Sequence, residues 1–593
     1  MLIKEGRYLI TTADERTWKF DRPVIFLGEW CRTFNRRHIW EKMDAIVAEP
    51  YGLGKECKDA DYAEANSLVD ILFPRFCNVL NQFHDVQYSE RSWQIILGHW
   101  FRRYVDAMLN RVKSLEQCLN SYQISGTTVY ANDHYELTTI DSYSAIWAFN
   151  DDRWNNVLVS RILALLESVS FPVEVVKGVE TPGFRYDAFV ATPSPKRILL
   201  KWFRKKVGNF LSWFVRNKDA LIINSYLPRK QEIKLQLALL QCPQLRTSPK
   251  LEISEKPNTL LRKDLASKVV GKSSSKNLQD ILGIMLFELL PICYLEGFKN
   301  LERLANQQPW PKYPRFIFTS NNFDTDEVFK LWTATKVELG YQYFVGQHGN
   351  NYGTHRYMNP SIEEMTADKF ITWGWTDGLP QQTPAFVFKT AGSKAKNYNP
   401  KGSLLLIESL LNHRITTWDG AFEFANYFQD QQKFVRELDF MPKQNLFIRL
   451  HSAQKYMKWN EEARWQAFDP FVRVDDGVYR INNLIANSRL VVHSYDSTGI
   501  LETLMQNIPT LAFWQNGFEH LRESAKPYYQ LLVDVGIVHL TPDSITQKVN
   551  AVWDDVDAWW LKGDLQSARK QFCNQYARAS QNPVNELKKL LMS

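Results

Sequence analysis

Short apolar runs alternate with helix-length amphipathic stretches along most of the 593 residues. Residues 23–27 (PVIFL) form one such run, closed by Gly28, and read as a buried strand that delivers Glu29 and Trp30 onto a loop. Residues 61–111 carry apolar positions three and four apart and predict helix, whereas 127–144 show no clear period and 171–176 read as strand. The apolar stretch 281–295 predicts a buried helix, and 316–319, 343–346 and 370–373 are short strands separated by helices or loops. A break rich in Pro, Gly, Asn and Lys at 377–402 reads as an interlobe linker. Beyond it, strands at 404–407, 445–450, 490–493 and 510–513 alternate with helices at 418–437, 481–487 and 499–506. Alternation of this kind predicts parallel sheets covered by helices. The expected fold is α/β with two Rossmann-like lobes: residues 1–390 with helical insertions, residues 391–570, and a C-terminal helix at 571–593 packing back on the first lobe.

Two segments interrupt this pattern. In 193–217, Leu199, Trp202, Phe203, Val207, Phe210, Leu211 and Phe214 share one helical face, while Lys196, Arg197, Lys201, Arg204 and Lys205 lie mostly elsewhere. A basic amphipathic helix of this type lies in the headgroup layer of an anionic membrane, or packs on a core with a basic solvated face. Residues 254–277, rich in Lys and Ser, read as a mobile surface insertion.

Composition narrows the class. The formal charge of +7 falls short of a nucleic-acid binder's footprint but suits a phosphate-bearing ligand or an anionic membrane. The 20 Trp, 25 Tyr and 35 Phe suit sugar stacking, packed cores and membrane interfaces alike. Seven scattered cysteines have no metal-ligand or redox spacing, as expected of a reducing cytoplasm. There is neither a signal-peptide core at the N-terminus nor an apolar run of membrane-spanning length. Walker, GxGxxG, GxSxG and HExxH patterns are absent.

The most informative stretch is LVVHSYDSTGILETLMQNIPTLAFW, residues 490–514. A buried strand enters the turn Ser494-Tyr495-Asp496-Ser497-Thr498-Gly499, then a helix carrying Glu502. Ser497, Thr498 and the Gly499 amide at a helix N-terminus suit a phosphate, and Glu502 one turn on suits ribose hydroxyls; ordinary capping by Asp496 or Ser497 explains the same residues. One strand earlier, NLFIRLH delivers Arg449 and His451 to the same side, as ligands of an anion or, for Arg449, as half of a buried ion pair. The loop VGQHGNNYGTHR, 345–356, places His348 at an exposed tip beside the Gly349 and Asn350 amides. Glu29 is either a cleft carboxylate or a solvated one, and the Asp324/Asp326 pair fits a metal site less well than Asp326-Glu327 fits helix capping, so no metal ligands are assigned.

The runs FLGEWC (26–31), SNNFDTDEVFKLW (320–332), GQHGNNYG (346–353), ADKFITWGW (367–375), YDSTGILETLMQNIPTLAFW (495–514) and WWLKGDLQSARKQFC (559–573) resemble a family of transferases from O-antigen and capsule gene clusters. That family is similar, more distantly, to bacterial capsule Kdo transferases and to retaining pseudaminic acid transferases. The resemblance implies a GT-B-like glycosyltransferase, with an acceptor-side N-terminal lobe and a nucleotide-sugar-binding C-terminal lobe. Its donor would be a CMP-activated nonulosonic acid, transferred with retention onto a surface glycan or lipid-linked acceptor. No cofactor or metal and no nucleic acid is implied, and contact with the inner membrane would run through 193–217. Carried onto this chain, His451, Ser497 and Thr498 hold the nucleotide, with Arg449 and the Gly349-Asn350 amides as candidates for the donor's carboxylate. Ser494, Gly499 and Glu502, read from the turn and helix themselves, complete that expected set; the resemblance names no catalytic group, and Glu29 as base or nucleophile with His348 as acid or leaving-group stabiliser is read from the residues alone. UDP- or GDP-sugar transfer, CDP-glycerol-type transfer and a non-catalytic role in polysaccharide assembly at the membrane are the alternatives.

Overall fold

The computed structural model describes residues 6–131, 136–177, 208, 211–244, 246, 251–270, 277–358, 360–392, 398–411 and 420–593. Its strands form three sheets in which every strand-to-strand ladder is parallel. The first holds β1 (Arg7–Ile10), β2 (Val24–Phe26), β3 (Ala45–Val47), β4 (Ile124–Tyr130) and β5 (Val173–Val176), in the order β3-β2-β1-β4-β5. The second runs in simple succession through β6 (Leu221–Ile222), β7 (Ile317–Thr319), β8 (Tyr343–Gly346), β9 (Lys369–Thr372) and β10 (Gln382–Pro384). The third contains β11 (Ser403–Ile407), β12 (Leu446–Arg449), β13 (Arg473–Asp475), β14 (Ser488–His493), β15 (Thr510–Phe513) and β16 (Val538–His539).

The third sheet has the order β13-β12-β11-β14-β15-β16, a doubly wound arrangement that reverses direction between β11 and β14. Leu404, Leu405 and Leu406 pair with Leu490, Val491 and Val492 across that junction, and all six are fully buried. Continuous apolar runs are what a parallel sheet covered on both faces requires. The reversal parts the helices on either side and leaves a crevice at the carboxyl ends of β11 and β14.

The α/β class with parallel sheets matches the sequence pattern, but the stretch 1–390 contains two sheets where one lobe was expected. The strands read at 23–27 and 171–176 are β2 and β5 of the first sheet, but its central β4 was masked by polar residues. In β4, Thr127 donates through Oγ1 to the Leu9 carbonyl at 2.8 Å, and Thr128 Oγ1 lies 2.7 Å from the Tyr8 hydroxyl. Paired this way, buried hydroxyls carry little penalty and erase the apolar signature. The expected mobile insertion at 254–277 contains the helix Thr259–Val269, capped by Asn258 and anchored by Leu265, Val269 and a buried Arg262–Glu296 ion pair. The expected linker at 377–402 contains β10 and the fully buried Ala385, Phe386, Val387 and Phe388. Most of the basic segment 193–217 lies outside the described residues; within it, Trp213 and Phe214 are exposed.

The units are tied together. After the helix Gly563–Tyr576, the Arg578 amide donates to the Trp373 carbonyl and the Arg578 carbonyl accepts from Val387, each at 2.9 Å. The final helix, Pro583–Met592, buries Leu587 and Leu591 against Leu235, Phe316, Phe344 and Ile371 of the second unit. Lys458 pairs with Asp152 at 2.5 Å, joining the third unit to the first. No helix among the described residues is long and apolar enough to cross a membrane.

Candidate active site where the second and third sheets meet

The two motifs singled out in the sequence meet in space. The loop after β8 lies on the turn after β14: the Asn350 amide donates to Thr498 Oγ1 at 2.9 Å, and the Asn350 side chain donates to Asp496 Oδ1 at 2.8 Å. A Cβ on Gly349 would sit 3.2 Å from Thr498 Oγ1, so the glycine allows this approach. Asp496 also accepts from the Tyr529 hydroxyl at 3.0 and 2.9 Å and lies 3.1 Å from His520 Nε2. Thr498, read as a phosphate ligand, thus serves as the landing point for the facing loop.

Ser497 takes the capping role, accepting from the Ile500 amide at 3.2 Å at the start of the helix Thr498–Met505. Beneath it lies His493, fully buried, 3.2 Å from Ser497 Oγ through Nδ1 and neutral because burial pushes its pKa down to about 3. A Cβ on Gly499 would come within 2.6 Å of the His493 ring. Gly499→Ala is therefore expected to cost about 1–3 kcal/mol by overpacking, read by denaturant unfolding. Ser494 is buried, with its hydroxyl 2.6 Å from the Tyr427 hydroxyl and 3.0 Å from the Ile407 carbonyl.

His348 is not at an exposed tip. Its ring packs among Tyr226, Phe323 and Tyr352, with Nδ1 3.3 Å from the Tyr352 hydroxyl. Burial, reinforced by Lys389 and opposed by Asp324, lowers its pKa to about 4, so it is neutral near pH 7. Tyr352 in turn donates to Glu363, whose carboxyl is raised to about 7 by burial. In the unfolded chain that carboxyl ionises near pH 4.3, so between there and about 7 the folded state holds the extra proton and stability falls as pH rises. Glu363→Gln is expected to remove a loss of about 3 kcal/mol over this window, seen by comparing unfolding of both proteins at pH 5 and 7. Lys389 lies 3.4 Å from Glu502 and over the Tyr226 ring, so Glu502 already has a cation.

The remaining predicted residues lie apart from this contact. Arg449 is taken up by Asp475 of the neighbouring strand, the ion-pair alternative, and His451 is exposed, with Nδ1 accepting from the Ala453 amide at 3.2 Å. Alternation put them on one side of β12, but strand order sets β12 outside β11, away from the crevice. Glu29 pairs with Arg32 and its charge also acts on Arg464 of the third unit. Asp326 caps the helix Glu327–Glu338 through the Phe329 amide, and Asp324 is held by both terminal nitrogens of Arg103 at 2.6 and 2.9 Å.

A cavity of about 310 Å³ occupies the crevice itself. Ser409, Ser494, Tyr495 and Asp496 line it from the ends of β11 and β14, and Trp514, Gln515, Asn516 and His520 from the segment after β15. Asn351, His355 and Tyr357 of the second unit and Lys55 and Lys58 of the first close it from the other side. Sequence reasoning missed both lysines, His520 and Gln515. The Asn516-Gly517 pair, at φ 61 and 55, was a legible turn signal directly after a strand; nothing local marks Lys55 or Lys58.

The sequence matches the LIC12162 family transferase description over residues 7–591. The chain belongs to the LIC12162 transferase family. No curated protein matches it. Among solved structures, this transferase is similar to MurG of Acinetobacter baumannii at 9% identity, with 63% of this chain and 99% of that chain covered and a TM-score of 0.33. The spinosyn rhamnosyltransferase SpnG, complexed with spinosyn aglycone, matches at 11% identity over 50% of this chain and 77% of its own, with a TM-score of 0.26. WaaG, a glycosyltransferase involved in lipopolysaccharide biosynthesis, matches at 11% identity over 50% and 95%, also with a TM-score of 0.26.

Proposed function

We propose that this transferase is a glycosyltransferase that moves a nonulosonic acid from its CMP-activated donor onto a bacterial surface glycan, with the donor in the cavity at the β11–β14 crevice. The observation that carries this reading is the cavity's position at the carboxyl ends of a doubly wound sheet, with Lys55, Lys58, His355 and His520 in its walls. A CMP-nonulosonic acid carries two anionic groups, the phosphodiester and the sugar carboxylate, and two lysines suit that pattern. In this reading His348, a neutral imidazole two residues before Asn350, would assist the leaving group. With a lipid-linked acceptor, the exposed Trp213 and Phe214 beside Arg216 and Lys218 would meet the headgroup layer.

The test is incubation with CMP-nonulosonic acids, UDP- and GDP-sugars and CDP-glycerol together with candidate glycan acceptors, read by mass spectrometry. Thermal stabilisation by CMP, UDP, GDP and CDP is measured in parallel. Turnover of CMP donors with preferential stabilisation by CMP is the expected result. Turnover of a diphosphate donor alone replaces the donor assignment, and stabilisation by none of the nucleotides with no turnover removes the enzyme reading.

A further inference from the structure

The crevice brings two imidazoles into one space and fixes both through the backbone. His355 and Leu521 form an antiparallel bridge, flanked by the Arg356 amide donating to the His520 carbonyl at 3.0 Å and the Arg522 amide donating to the Thr354 carbonyl at 2.8 Å. This short pairing fastens the second unit's loop to the segment after β15. The rings of His355 and His520 end with their centroids 6.0 Å apart, and both line the cavity.

His520 also has a partner that sets its tautomer. Its Nε2 lies 3.1 Å from Asp496 Oδ2, and Asp496 is held in place by the Tyr529 hydroxyl and the Asn350 side-chain amide. A carboxylate against Nε2 places the proton there and leaves the lone pair on Nδ1. The Asp496 side chain is 7% exposed and that of His520 24%, so the orienting carboxylate is sheltered while the imidazole reaches the cavity. That is the arrangement of an oriented general base.

We propose that His520 is the general base of sugar transfer, positioned by Asp496, and that transfer is a single displacement inverting the anomeric carbon. This rests on the nucleotide-sugar reading above and reverses the stereochemistry the family resemblance implies. The acceptor hydroxyl passes its proton to His520 Nδ1 while its oxygen bonds the anomeric carbon. The bond from that carbon to the donor phosphate oxygen breaks, and the electron pair leaves on the phosphate beside Lys55 and Lys58. Asp496 stabilises the imidazolium so formed. Protons and charge balance without a further reactant, and Asp496, occupied by three donors, does not serve as an attacking carboxylate.

The test uses the full chain with whichever donor the wild type turns over in the panel above. His520→Ala and His520→Gln are expected to lower kcat by about 100- to 10,000-fold with the donor KM and the thermal shift by CMP unchanged. Added imidazole is expected to restore part of the rate in His520→Ala, and Asp496→Asn to lower kcat without altering KM. Proton NMR of the product is expected to show the inverted anomer. Wild-type kcat in His520→Ala, a retained anomer, or a rate loss that follows KM with no imidazole rescue overturns the assignment while leaving the transferase reading intact. A wild-type protein that turns over no donor removes both.

Discussion

Lys330→Met is expected to lower the unfolding free energy by about 3–5 kcal/mol. The Lys330 ammonium lies 2.8 Å from Glu327, and the two side chains are 1% and 2% exposed. It also donates to the Tyr294 hydroxyl at 2.7 Å and to the Asp324 carbonyl at 3.1 Å, while Tyr294 and Ser142 both bond Glu327. Methionine fills the space but strands the Glu327 carboxylate without its cation, and an unpaired buried charge is what makes such losses large. Guanidinium unfolding of the single variant and of Glu327→Gln/Lys330→Met checks this: the double variant is expected to recover much of the loss. A single variant within about 1 kcal/mol of wild type would mean that the pair is not charged. The network joins the first unit's Asp141–Ser142 turn to the helix after β7, so it also holds the Asp324 carbonyl and with it the segment facing His348.

The largest effect expected on donor binding is that of Lys58→Ala. Lys58 borders both the crevice cavity and an adjoining one of about 540 Å³ that shares Gln515, Asn516 and Glu519 with it. A charge-assisted contact to a phosphate is worth about 1.5–3 kcal/mol, which corresponds to a donor KM raised roughly 10- to 100-fold. Since the lysine lies on the first turns of the long helix Gly54–His84, with part of its surface in solvent, ligand-free stability should hardly move. Steady-state kinetics and CMP thermal shifts at two salt concentrations check both parts; a wild-type loss of affinity with salt that vanishes in the variant identifies the charge. Equal KM values would place the donor's phosphate elsewhere.

Much of the third sheet was legible because β11, β14 and β15 each contain a short apolar run and the helix after β14 begins with its own cap, Ser497. Capping depends on residues three apart and survives any packing. In the first sheet β2 and β5 were legible, but the central β4 was not, since Thr127 and Thr128 spend their hydroxyls on hydrogen bonds to β1 that no periodicity reveals. His348 was placed in the right loop but in the wrong environment: its burial comes from Tyr226 and Phe323, which belong to other strands' ends. Arg449 was placed on the correct strand, yet its partner, Asp475, belongs to a strand too short and polar to be seen.

The sequence by itself determined the alternation of helix and strand in the C-terminal half, the glycine-rich loop and the capped turn, because these rest on neighbours along the chain. Only the tertiary structure decided that the loop and the turn touch, that Lys55 and Lys58 close a cavity opened by β11 and β14, and that Asp496 orients His520. Strand order and the docking of separate units bring residues hundreds of positions apart within a few ångströms, and hydrophobic patterning is the same for any order in which those strands are laid side by side.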